Sequence, residues 1–147
     1  MEVYNLDAVG SGSTFVNIST RAYSTTGNGV TIGGFVVSGS ASKQVLLRAV
    51  GPTLTTQGLG EAEVLADPVI ELHRGAPVIA TNDNWSDNAN AASIGTTGAR
   101  IGALPFATAD TKSSALLLTL PPGVYSFLAR SKTTTSGIVL VEVYDAD

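Results

Sequence analysis

The chain has 147 residues, of which 44 percent are hydrophobic and only 14 percent charged, against about 25 percent charged in an average soluble protein. That is one domain's length, enough to bury a core without disulfides or a structural metal. A formal net charge of -4, with 8 Lys and Arg spread thinly, leaves no basic patch to follow phosphates and argues against nucleic acid as a partner. The absence of cysteine excludes disulfides, thiolate nucleophiles and cysteine zinc sites. No apolar run reaches the roughly 18 residues that would suggest a membrane span, so no membrane insertion is expected. Met1-Glu2-Val3-Tyr4 lacks the pattern of an export signal, which is expected to lie outside this sequence.

In chain order, Ala8 to Thr14 has the Gly and Ser composition of a linker. It divides residues 1–14, a strand-like tail and linker, from a body at residues 15–147. Phe15 to Thr20 alternates, with Val16 and Ile18 on one face, as a half-buried strand does. Asn28-Gly29 predicts a tight hairpin turn into a strand over Val30 to Ser38, where Gly33-Gly34 marks a bulge or a close backbone contact. Lys43 to Val50 is apolar on both faces, the mark of a strand covered on both sides.

From Gly51 to Pro68 the periodicity lapses into a loop with a helical turn around Glu61 to Leu65. Short strands follow at Val69 to His73 and Val78 to Thr81. Asp87 is placed to cap a short helix over Asn88 to Ile94, with Gly95 as its stop. Ser113 to Leu120, Val124 to Ala129 and Ile138 to Tyr144 are the remaining strands. Leu116, Leu118, Tyr125, Phe127, Val139, Val141 and Val143 point inward. The pattern predicts an all-β fold, an antiparallel β-sandwich of the jelly-roll kind, with eight to nine strands and at most one short helix.

One sequence is written twice. Glu2-Val3-Tyr4-Asn5-Leu6-Asp7 matches Glu142-Val143-Tyr144-Asp145-Ala146-Asp147 at four of six positions, differing at Asn5/Asp145 and Leu6/Ala146, at an offset of 140 residues, the length of a domain. Such a self-match points to one unit of an array preceded by the end of another. If both copies are strands, only one can fill the slot inside this sandwich. The other lies free, pairs elsewhere, or adds to the sheet of a neighbouring molecule. Glu2, Val3, Tyr4, Leu6, Val143 and Tyr144 are therefore the candidate assembly residues, and the partners expected are further copies or neighbouring repeats.

Asn17-Ile18-Ser19-Thr20-Arg21, Ile32-Gly33-Gly34-Phe35, Leu47-Arg48-Ala49-Val50-Gly51-Pro52, Asp67-Pro68, Asn82-Asp83-Asn84-Trp85, Leu120-Pro121-Pro122-Gly123-Val124-Tyr125 and Val141-Glu142-Val143-Tyr144-Asp145 resemble one family. It is a largely uncharacterised repeat domain of large secreted or surface-attached bacterial proteins. More distantly, the second half is similar to bacterial pre-peptidase C-terminal domains, jelly-roll modules appended to secreted enzymes, some of which bind calcium. The resemblance implies an extracellular or cell-surface module without catalytic activity.

Calcium takes about six to eight oxygen ligands, and Asp67, Asp83, Asn84 and Asp87 are the candidate donors. Asn84 stands where the related domains often carry Asp, and the same residues also suit turns closed by their own side chains. Trp85, the single tryptophan, is either a platform for surface carbohydrate or a plug over the sandwich end. Arg48, among apolar neighbours, needs a buried carboxylate, for which Glu71, Asp67 or another carboxylate is the candidate. His73 is the sole histidine and no serine sits in a nucleophile elbow, so no catalytic residue is assigned.

Overall fold

A computed structural model of the chain describes residues 16–147. The tail at residues 1–14, with the assembly candidates Glu2, Val3, Tyr4 and Leu6, lies outside the described residues. The strands are β1 (Asn17–Ser24), β2 (Thr31–Val37), β3 (Lys43–Val50), β4 (Pro68–His73), β5 (Val78–Asn82), β6 (Ser114–Leu120), β7 (Gly123–Ser131) and β8 (Gly137–Asp145), with one helix, α1 (Ala91–Arg100). They form two four-stranded antiparallel sheets, ordered β1-β8-β3-β6 and β2-β7-β4-β5. The all-β sandwich expected from the turn spacing is the fold observed.

The core between the sheets follows from alternation. Val45, Leu47 and Ala49 of β3 face Ile70 and Leu72 of β4 and Tyr125, Phe127 and Ala129 of β7. β3 is apolar on both faces because its other side is also covered. Leu46 packs with Ile94 of α1, with Leu117 and with Tyr144, and Val50 packs with Leu54 and Val64. Ile94 is the residue by which α1 holds the sheet, and Arg100 in its last turn donates to the Ala146 and Asp147 carbonyls. The outer face of the second sheet has no such cover among the described residues, and Ile32, Val36 and Val124 stand exposed on it.

Four local expectations are corrected. Thr26 to Val30 is not a hairpin turn. It carries β1 in one sheet across to β2 in the other through a short 3-10 turn, with positive φ at Gly27 and not at Asn28. Gly33-Gly34 is not a bulge, since the β2–β7 register runs unbroken. A Cβ at Gly33 would lie 2.5 Å from the Phe127 ring, so the close approach is to a side chain. The segment before β4 carries a 3-10 helix at Pro52–Gln57 where a plain loop was expected, in addition to a hydrogen-bonded turn at residues 61–63. The helix begins three residues later than expected and runs through Gly95 and Gly98 to Arg100, with Asn90 at its N-cap position in place of Asp87.

Candidate functional site

Arg48 on β3 and Glu142 on β8 face each other across the ladder on the α1 side of the first sheet. They are 2 and 4 percent exposed, and Nε lies 3.4 Å from Oε2. Arg48 Nη2 also donates to the Leu104 carbonyl at 2.6 Å, and the guanidinium sits 4.2 Å from the Phe106 ring centroid. The Tyr144 hydroxyl donates to Glu142 Oε1 at 2.7 Å. Burial pulls the Arg48 pKa down, opposed by the Glu142 charge. Burial, with the hydrogen bond to Glu142, pushes the Tyr144 phenol up to about 12. Glu71, a sequence candidate for Arg48, is taken by Arg130 at 2.6 Å, and Asp67 by Lys112 at 3.4 Å.

Phe106 carries a second stack on its ring. Trp85 lies against it with centroids 4.7 Å apart, and the indole N–H donates to the Asp110 carbonyl at 2.7 Å. The Trp85 ring is half-buried, the geometry of a plug. Beside it a cavity of about 400 Å³ opens between α1 and the Leu104–Phe106 segment, lined chiefly by Ile94, Gly95, Ala103 and Phe106.

Asp110 was not among the sequence candidates and is the best-connected carboxylate of the loops. It accepts from the hydroxyls of Thr53 (2.5 Å) and Ser113 (2.6 Å) and from the backbone N–H groups of Thr53, Lys112 and Ser113. Burial works against its charge, yet those bonds outweigh it and hold the carboxyl below the usual aspartate range. Its bonds join the turn after β3 to the segment before β6, and so fix the loop that presents Phe106.

The acidic loop residues are met by lysines. Lys132 pairs with Asp83, and Lys112 with Asp67, while the Asn84 amide donates to Asp87 Oδ2 at 3.0 Å. Asp67 Oδ1, Asp83 Oδ1 and Asn84 Oδ1 are enclosed without a hydrogen-bond partner. Even so, the described residues contain no group of three or more His, Cys, Asp or Glu side chains placed to hold a metal ion. In this arrangement ammonium groups lie against two of the four candidate donors, Asp67 and Asp83.

The repeated C-terminal sequence is held throughout. Beyond Glu142 and Tyr144, Val143 packs against the core and Asp145 pairs with Lys43 at 2.6 Å. The Ala146 N–H donates to the Gln44 carbonyl and the Gln44 N–H to Asp147 Oδ1. The Gln44 N–H and Lys43 lower the Asp147 pKa, and Asp145 raises that of Lys43. Val143 and Tyr144 are thus engaged within their own sandwich.

The outer edges of the sheets differ. On β6 the Ala115 N–H donates to Asn82 Oδ1, the Ala115 carbonyl accepts from Asn88 Nδ2, and the Leu117 carbonyl accepts from Asn90 Nδ2. Three asparagine side chains stand in for the next strand, a role the sequence did not reveal beyond its cluster of Asn. β5 is only five residues long, beside a bulge at Leu72/His73. β2 carries Gly33-Gly34 at its middle. β1 is eight residues long and pairs with β8 over its whole length. The Asp145 N–H donates to the Val16 carbonyl. In that register Ile18, Thr20 and Ala22 bond β8, while Asn17, Ser19, Arg21 and Tyr23 turn their backbone N–H and C=O groups to the outer edge, on which no strand of the described residues pairs.

His73 Nδ1 lies 3.3 Å from the Ala76 carbonyl and Nε2 lies 3.9 Å from Glu71, on the open face of the second sheet. Among the described residues no helix is long and apolar enough to cross a membrane.

No family model matches the chain, and no curated protein matches it. Its structure is similar to the crystal structure of the pre-peptidase C-terminal domain of a collagenase from Bacillus anthracis. The TM-score is 0.50 at 12 percent identity, over 87 percent of this chain and 89 percent of that one. At that identity the likeness is one of fold, and it agrees with the distant similarity carried by the Asp67-Pro68, Asn82–Trp85 and Leu120–Tyr125 blocks.

Proposed function

We propose that this is a non-enzymatic extracellular β-sandwich repeat. In this reading it is a subunit or segment of a bacterial surface fibre or adhesive stalk, joined to neighbouring copies through residues 2–7 by strand addition. The observation that carries the reading is the repeated six-residue sequence. Its second copy, Glu142 to Asp147, is strand and strand end, bonded through Glu142, Asp145, Ala146 and Asp147. The first copy has the same alternation, and the slot it would fit is already filled by β8. Addition between identical units is head to tail and need not close, so it builds a filament. Sedimentation of the full chain beside a chain lacking residues 1–12 tests this. Association that grows with concentration only in the full chain supports it, and association that survives the deletion overturns it.

A second reading, a ligand-binding accessory module of a secreted enzyme, draws on the half-buried Trp85–Phe106 pair beside the cavity at α1. Surface carbohydrate would be the ligand, and a sugar-dependent rise in Tm lost in Trp85→Ala would favour it. A calcium-dependent rise abolished by Asp83→Ala would favour the metal-binding form of the same reading.

A further inference from the structure

We propose that the acceptor for residues 2–7 of a second copy is the open edge of β1, with Glu2 of the incoming strand opposite Arg21. This rests on the self-association proposed above and adds where the strand lands and in which register. Three observations converge on β1. Its edge is the longest left without asparagine caps, glycines or a bulge to discourage pairing among the described residues. The sequence Glu-Val-Tyr already pairs with this strand from its other side, where Glu142, Val143 and Tyr144 stand opposite Ser19, Ile18 and Asn17. The charges are complementary: Arg21 is the single charged residue of β1, is exposed, and belongs to none of the ion pairs of the described residues, while residues 2–7 carry Glu2 and Asp7 and no basic group.

An antiparallel approach that sets Glu2 opposite Arg21 brings Tyr4 opposite Ser19 and Leu6 opposite Asn17. All three pairs then lie on the α1 face of the first sheet, the face on which Glu142 meets Arg48. The incoming strand would become a fifth strand of that sheet, flanking β1 on the side opposite β8, the strand whose sequence it resembles. The Gly and Ser run at Ala8 to Thr14 is the tether that lets it reach a neighbour.

The edge geometry supplies a clean variant. The Ser19 N–H points outward, so Ser19→Pro removes an edge donor and leaves the β1–β8 ladder whole. The Ser19→Pro chain keeps its donor segment, and the chain lacking residues 1–12 keeps its acceptor edge. Each alone is expected to sediment as a monomer, and mixed they should form a one-to-one complex that grows no further. Should Ser19→Pro perturb folding, the surface change Arg21→Glu replaces it. That change should weaken association at least tenfold, and Glu2→Arg added to it should restore association. If the full chain associates through residues 1–12 but Ser19→Pro and Arg21→Glu associate as well, the acceptor lies elsewhere and this inference is overturned while the filament reading stands. If the two half-competent chains fail to combine, β1 is not the acceptor. If the full chain does not associate at all, the filament reading fails and takes this one with it.

Discussion

Arg48 and Glu142 stand directly opposite each other on adjacent strands, 2 and 4 percent exposed, with Nε and Oε2 3.4 Å apart. Removing one partner of a buried pair strands the other charge at a cost of about 3–5 kcal/mol. Arg48→Met is therefore expected to lower the unfolding free energy by about that much, and Glu142→Gln by less, because an amide still accepts from Tyr144. The double variant should recover much of the Arg48→Met loss. Urea denaturation of the three variants checks the coupling, and strictly additive effects would contradict it.

Asp110 has a lowered pKa in the fold, so its contribution to stability is present above the unfolded aspartate value, about pH 4, and is lost as pH falls through the lower folded value. Asp110→Asn should cost about 2–3 kcal/mol at neutral pH, since the Thr53 and Ser113 donors lose a charged acceptor. It should also flatten the fall in stability below about pH 4. Tm measured from pH 2 to 7 in both proteins checks the sign.

Two glycines should respond in opposite directions. A Cβ at Gly137 would lie 2.5 Å from the backbone of Val64 and Leu65, which cannot give way as a side chain tip can. Gly137→Ala is expected to destabilise by about 2–3 kcal/mol. Gly95 lies inside α1 with nothing within 4 Å of its Cβ position, so Gly95→Ala should stabilise by about 1 kcal/mol. Thermal denaturation of both reads the difference.

Asn82 caps β6 by accepting from the Ala115 N–H at 2.9 Å. Asn82→Ala should cost about 1–2 kcal/mol and bare the start of a mostly apolar strand edge. Light scattering near the melting transition is expected to show faster aggregation than in the parent protein.

The sandwich was legible in the sequence because two-residue alternation survives wherever one face of a strand is buried, and β7 alternates clearly, with β8 nearly so. Connections were less legible. Asn28-Gly29 carries a hairpin signal, but the chain there passes between sheets, and no local pattern distinguishes a turn within a sheet from a crossing between two. α1 was placed early because Asp87 is a good capping residue, whereas Asn90 holds that position while its amide serves the Leu117 carbonyl. Burial of Arg48 in an ion pair was foreseen and its partner was not. The clue was available in Glu142, a charge set between valines inside β8, yet pairing it with Arg48 required the strand order. Asp110 was not singled out from the sequence, since its bonds to Thr53 bring together two turns 57 residues apart.

Amide hydrogen exchange at Ser19 and Arg21 in the full chain, followed from dilute to concentrated solution, tests the assembly most directly. Their N–H groups face the open edge of β1, so exchange should be fast when dilute and become protected as concentration rises, while Thr20, bonded to β8, stays protected throughout. Fast exchange at every concentration, or protection already complete in the dilute monomer, would contradict addition of a neighbour's strand at that edge.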